Sequence, residues 1–127
     1  MWTGDEQKIR ELLDKWRGAN AQVSEYVCGH GTLLIRVFRP ELRLNLYIQC
    51  KDCRTIKFQS MGWKNANLVL REKPNPRQND EDFKFEMEDG DRLYAACWGV
   101  YLLESDKQVL IDWPPESRKV SENRVLI

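Results

Sequence analysis

Thr32-Leu33-Leu34-Ile35-Arg36-Val37-Phe38, followed by Arg39-Pro40-Glu41 and then by Leu42-Arg43-Leu44-Asn45-Leu46-Tyr47-Ile48-Gln49-Cys50, is the stretch that decides the fold. In the first arm Leu33, Ile35 and Val37 recur at every second position, and in the second arm Leu42, Leu44, Leu46, Ile48 and Cys50 do the same. A period of two marks a strand with one buried face; an amphipathic helix spaces its apolar residues by three and four. Between the arms, Arg39 to Leu42 fits a type I turn, because a proline in second place presets the backbone angle that position needs. Pairing through that turn sets Val37 against Leu44, Ile35 against Leu46 and Leu33 against Ile48. A slip of one residue would send every apolar side chain to the wrong face, so the faces are fixed more firmly than the register itself.

Working outward, the same register carries Cys28 to a place opposite Cys53 and Gly31 to one opposite Cys50, so the two ends of residues 28–53 are expected to meet. Ile56 and Phe58 continue the alternation beyond Cys53 and imply a short hairpin turning at Lys51 to Cys53. Cys50-Lys51-Asp52-Cys53 on such a turn resembles the knuckles of zinc ribbons. Thiolates at that spacing can hold one tetrahedral zinc ion, with Cys28 and His30, the chain's single histidine, as the completing ligands. Against this, a second C-x-x-C is missing, and strict alternation puts Cys50 on the core side and Cys28, His30 and Cys53 on the other. Three states of the cysteines remain open: reduced structural thiols, a zinc site at Cys28, His30, Cys50 and Cys53, and a Cys28–Cys53 disulfide. Cys97 falls in an apolar strand and is expected to be buried and inert.

Upstream, residues 5–18 form an amphipathic helix with Ile9, Leu12, Leu13 and Trp16 on one stripe, Thr3 or Asp5 as its cap and Gly18 as its stop. Downstream, Asn67 to Arg71 is a strand, and residues 73–82, with Pro74, Pro76 and a run of acidic side chains, are a loop. Phe83, Phe85 and Met87 alternate toward Asp89-Gly90, a type I′ hairpin signal that pairs Phe85 with Tyr94. Leu93 to Leu103 is apolar on both faces and belongs in the middle of a sheet. Val109 to Ile111 is a further strand. The apolar end of the chain, Val125-Leu126-Ile127, is either frayed or added to a sheet edge. The expected architecture is α+β: an N-terminal helix (5–18) on an antiparallel meander of seven or eight strands (21–113) that curls toward a barrel, with an extended tail (114–127), all in a single domain of 127 residues.

Hydrophobic residues at 42% and charged residues at 31% place the chain among ordinary globular proteins. Residues 2–6 lack the basic and apolar regions of a leader, and Leu93 to Leu103 is too short for a membrane helix. A cytoplasmic location without membrane partners is therefore expected. The net charge is zero but unevenly spread: residues 28–73 hold nine Lys or Arg against three Asp or Glu, and residues 74–106 hold three against nine. No phosphate-cradling glycine loop, calcium loop or nucleophile–base–orienter set is visible. A non-enzymatic binding module with a protein partner is thus the leading expectation, with zinc at the knuckle as its one candidate cofactor. Two alternatives stand beside it. One is a single-stranded nucleic-acid binder using Arg36, Phe38, Arg43, Tyr47 and Lys57 on one outward face. The other is a small-ligand carrier or small enzyme with a cavity inside the curved sheet.

Overall fold

In the computed structural model, which describes residues 2–73, 83–111 and 125–126, the alternating stretch becomes two paired strands, β2 (Thr32–Phe38) and β3 (Asn45–Lys51). Leu33, Ile35 and Val37 face Cys50, Ile48 and Leu46, with the expected apolar faces together but the register moved by two residues. The Pro40 turn forms, with Leu42 N donating to Arg39 O at 3.0 Å, but pairing resumes only at Asn45. Leu42 and Leu44 belong to the connection and lie exposed. β1 (Asn20–Val27) pairs with the far side of β2, and a bulge at Ser24 shifts its register. The bulge turns Glu25 and Val27 outward and leaves Val23 and Tyr26 inward, which unbroken alternation would not allow.

β9 (Gly99–Ser105) pairs with β3, while β5 (Gly62–Trp63) and β10 (Val125–Leu126) both lie along the outer edge of β1. The end of the chain thus adds to a sheet edge. These six strands form the first sheet; the second has the order β4 (Thr55–Phe58), β8 (Leu93–Cys97), β7 (Phe85–Asp89) and β6 (Val69–Glu72).

The two sheets are joined by the same pair of strands going around a corner. β3 runs on into β4 without reversing, and beside it β8 runs on into β9. The expected hairpin at Lys51 to Cys53 is therefore a bend. From the pair Lys51–Gly99 to the pair Thr55–Ala96, one strand advances four residues and the other three, so one residue is extra. Asp52 absorbs it with φ 55°, a left-handed conformation that Asp tolerates better than most side chains. Arg54 N to Ala96 O (2.7 Å) and Trp98 N to Lys51 O (3.1 Å) carry the pairing past the bulge. Strands that switch sheets at a bulge are the usual way to build such a corner. Among the described residues β6 and the β1 edge are not paired with each other, so the curl stops short of a closed barrel.

The second hairpin also departs from its expected register. Phe85 faces Cys97, not Tyr94, and Asp89 pairs with Leu93 across a three-residue connection in which Gly90 has φ 52°. Asp89 is a buried strand residue whose carboxylate accepts from Trp63 Nε1 at 2.8 Å and from Asn67 N at 2.9 Å. Those two hydrogen bonds explain why it stays paired and does not enter the turn. Residues 74–82 lie outside the described residues, as do 112–124.

The helix α1 (Glu6–Lys15) starts at Asp5, whose side chain accepts from Lys8 N, and it packs against β6 and β9. Ile9, Leu13 and Trp16 enter one core cluster that includes inward residues of both sheets. The interior is filled by these side chains, and the small gap beneath α1, lined by Leu13, Trp16 and Val37, holds no more than about 10 Å³. Burial pushes the Glu104 carboxyl up, but donation from Lys15 Nζ (2.7 Å) and Trp16 Nε1 (2.9 Å) outweighs it and holds the group below the usual carboxylate range. No described helix is long and apolar enough to cross a membrane.

Candidate functional site

The corner gathers cysteines. Cys50 ends the inward row of β3, Cys53 follows the bulge, and Cys97 ends the inward row of β8. Gly31, at φ 56°, stands so near the bend that a Cβ there would lie 2.8 Å from Cys53 O, and Cys53 N donates to Gly31 O at 2.8 Å. The two ends of residues 28–53 therefore meet, and only glycine fits the contact.

Cys50 and Cys97 belong to one core cluster with Cys53 packed against it, and Cys53 Sγ donates to Cys50 O at 3.4 Å. Cys50 and Cys97 are sealed and Cys53 is half-buried. The Cys97 thiol beside it, together with burial, pushes Cys53 far above the ordinary thiol range; contact with Cys50 and burial do the same to Cys97. Cys28 lies exposed on a single 3-10 turn (Cys28–His30). All four thiols are free.

Of the four residues expected to bind zinc, Cys50 and Cys53 come together, and Cys28 lies exposed on the 3-10 turn. The ring of His30 lies outside the described residues. Among the described residues no group of three or more His, Cys, Asp or Glu side chains is placed to hold a metal ion. Cys97 was missed as a member of this cluster, because its place depends on the β7–β8 register.

The second feature is a groove of about 340 Å³ on the outer face of the first sheet, lined by Gln22, Ser24, Arg36, Asn45 and Tyr47 from three neighbouring strands and by Gln108, Val109 and Leu110. Residues 109–111, expected as a strand, instead lie over this face. Ile111, Val109 and Trp2 pack on Val27, Leu34 and Tyr47, Ile111 N donates to Glu25 Oε2 at 2.9 Å, and Tyr47 OH donates to Lys107 O at 3.2 Å. They form one wall of the groove and the sheet forms its floor. Across the floor Gln22 faces Arg36 and Arg36 faces Tyr47. The Arg36 guanidinium lies over the Phe38 ring, 4.3 Å from its centre, and no described carboxylate is within ion-pair distance of it.

Of the five residues expected to form a nucleic-acid face, Arg36 and Phe38 remain together. Tyr47 is only 2% exposed and has no face to offer a base. Arg43 lies in the exposed β2–β3 connection, and Lys57 is on the second sheet, opposite Tyr94. A more open groove at Gln59, Ser60, Trp63, Lys64 and Arg92 also contains an arginine, but Arg92 is held by the carbonyls of Lys64 (2.6 Å) and Asn65 (3.0 Å). Comparison with protein-family models, curated proteins and solved structures gave no match.

Proposed function

We propose that the protein is a non-enzymatic binding module whose site is the groove on the outer face of the first sheet, and that Arg36 there receives the carboxylate or phosphate of a small organic anion. The observation that carries this reading is an arginine without a described acid partner on the floor of a polar groove. A guanidinium stays charged at any physiological pH and offers a planar fork of donors that matches carboxylate and phosphate oxygens. Stacking on Phe38 restrains it at little cost, so less side-chain freedom is lost on binding. Gln22, Ser24 and Asn45 supply further donors and acceptors to orient the ligand, and Val109 and Leu110 supply apolar wall. About 340 Å³ is at the small end of ligand pockets and suits a compact molecule better than a polymer. Among the described residues the lining contains no carboxylate, imidazole, thiol or amine to move a proton, which favours binding over catalysis.

Calorimetric titration of the full chain with inorganic phosphate, citrate and a short acidic peptide tests this. Saturable binding of phosphate or citrate, lost in Arg36→Ala, is the expected result. Binding of the peptide alone would replace the small anion by an acidic segment of a partner protein, and no binding of any probe at millimolar concentration would overturn the proposal.

A further inference from the structure

Among the described residues Arg36 is the one charged side chain that lines the groove, and around it stand three carboxamides, Gln22, Asn45 and Gln108, with the Ser24 hydroxyl beside them. We infer that the ligand is a polyhydroxylated monocarboxylate, a sugar acid of the uronate kind, with its carboxylate on Arg36 and its hydroxyls on the carboxamides. This rests on the anion reading of the groove and narrows it to one chemical class.

Charge sets the first limit. One guanidinium balances one negative charge, so a phosphate dianion or citrate would leave further charge without a cation. The polar groups set the second. A carboxamide presents an NH2 donor and a carbonyl acceptor side by side, whereas the oxygens of a fully ionised anion only accept. Neutral hydroxyls both donate and accept, and two on neighbouring carbons can use both halves of one carboxamide. This capacity is unspent: no described residue hydrogen-bonds with the side chains of Gln22, Ser24, Asn45 or Gln108. Asn45 carries the argument furthest. It is 9% exposed, it lines the groove, and folding has taken most of its surface out of water without giving its side chain a described partner. A buried polar group in that state calls for a partner from outside the chain.

Position agrees with this chemistry. Gln22 lies directly across from Arg36 on β1, and Asn45 begins β3 on the other side of it, so carboxamides flank the guanidinium from both neighbouring strands. Paired strands hold them at fixed spacing, which a ligand with hydroxyls at fixed spacing can match. Val109 and Leu110 give the groove an apolar wall, and Leu110 is exposed there, so the C–H groups of a sugar ring have a surface to cover. A groove of about 340 Å³ takes one ring more readily than a chain of them.

Calorimetric titration of the full chain with glucuronate, acetate, glucose and inorganic phosphate is the test. Glucuronate should bind at least about tenfold more tightly than any of the other three, because neutral hydrogen bonds add to the single ion pair. Gln22→Ala should weaken glucuronate binding and change acetate binding little, and Arg36→Ala should weaken both. If acetate or phosphate binds as tightly as glucuronate, the sugar-acid inference is overturned while Arg36 stands as an anion site. If glucose binds as tightly as glucuronate, or none of the four binds, both readings are overturned. The ligand series on the unsubstituted chain decides the matter even if a variant fails to fold.

Discussion

On the outer face of the second sheet, Arg71 Nε stands 2.7 Å from Glu88 Oε1, and Tyr94 OH donates to Glu86 Oε2 at 2.6 Å. On the outer face of the first, Arg36 has Phe38 beneath it and no described carboxylate beside it, while Leu34, Tyr47 and Glu25 are sealed under a cover that includes Trp2, Val109 and Ile111. One face is open, charged and internally paired; the other is partly covered and holds Arg36 without a described ion-pair partner. The difference follows from strand order. β6, from the basic part of the chain, lies beside β7 from the acidic part, so their charges cancel locally. β1, β2 and β3 do not pair with β7, and no described carboxylate lies within ion-pair distance of Arg36. Within the basic part of the chain, Arg71 is thus paired across strands with an acidic neighbour, and Arg36 has no described one.

The contrast can be broken most severely by substitution. Leu34→Ala, in the covered face, should destabilise by about 2–5 kcal/mol, whereas Val69→Ala, in the open face and 37% exposed, should stay within about 0.5 kcal/mol. Urea titration of the two variants checks this. Equal effects would mean that the first sheet's outer face is not a packed layer.

Binding sharpens the same contrast. Arg36→Ala should weaken phosphate or citrate binding at least tenfold, by about 1.4 kcal/mol, and Arg71→Ala should leave it unchanged. Gln49 is a smaller case. Its amide is 1% exposed on the covered face and has no hydrogen-bond partner among the described residues, so Gln49→Leu should stabilise by about 1 kcal/mol. A loss of stability in that variant would show that a bound water or ligand satisfies the amide.

The paired face should respond least. Arg71→Ala should cost under about 1 kcal/mol, and less in high salt, because an exposed ion pair is screened. The Glu104 anchor adds a pH test. Its carboxyl is depressed in the folded protein, so its contribution is present above the ordinary carboxylate range and is lost as pH falls through the folded value. Glu104→Gln should flatten that part of the stability profile measured by thermal melting.

What could be read in advance differed between the two hairpins. In β2–β3 only one face is apolar, so alternation fixed which side chains turn inward. Leu42 and Leu44 extend that pattern into the connection, so alternation alone gives a register two residues short. In β7–β8 the return strand is apolar on both faces, so alternation offered no check on the Asp89-Gly90 turn. The error there was three residues, an odd number, and it hid Cys97 from its neighbours. The site was legible to the same extent. Cys50 and Cys53 were placed together and near Gly31, and Arg36 was placed outward. The cover from residues 109–111 was not foreseen, because an apolar triplet reads as a strand whether it pairs with a sheet or lies across one.

The most direct test of the anion site is a titration of the isotope-labelled full chain with inorganic phosphate, followed by amide NMR and repeated with Arg36→Ala. The account predicts saturable shifts at the amides of Gln22, Ser24 and Asn45 that vanish in the variant while the rest of its spectrum is retained. Shifts of equal size in the variant, or none in either protein, would contradict it.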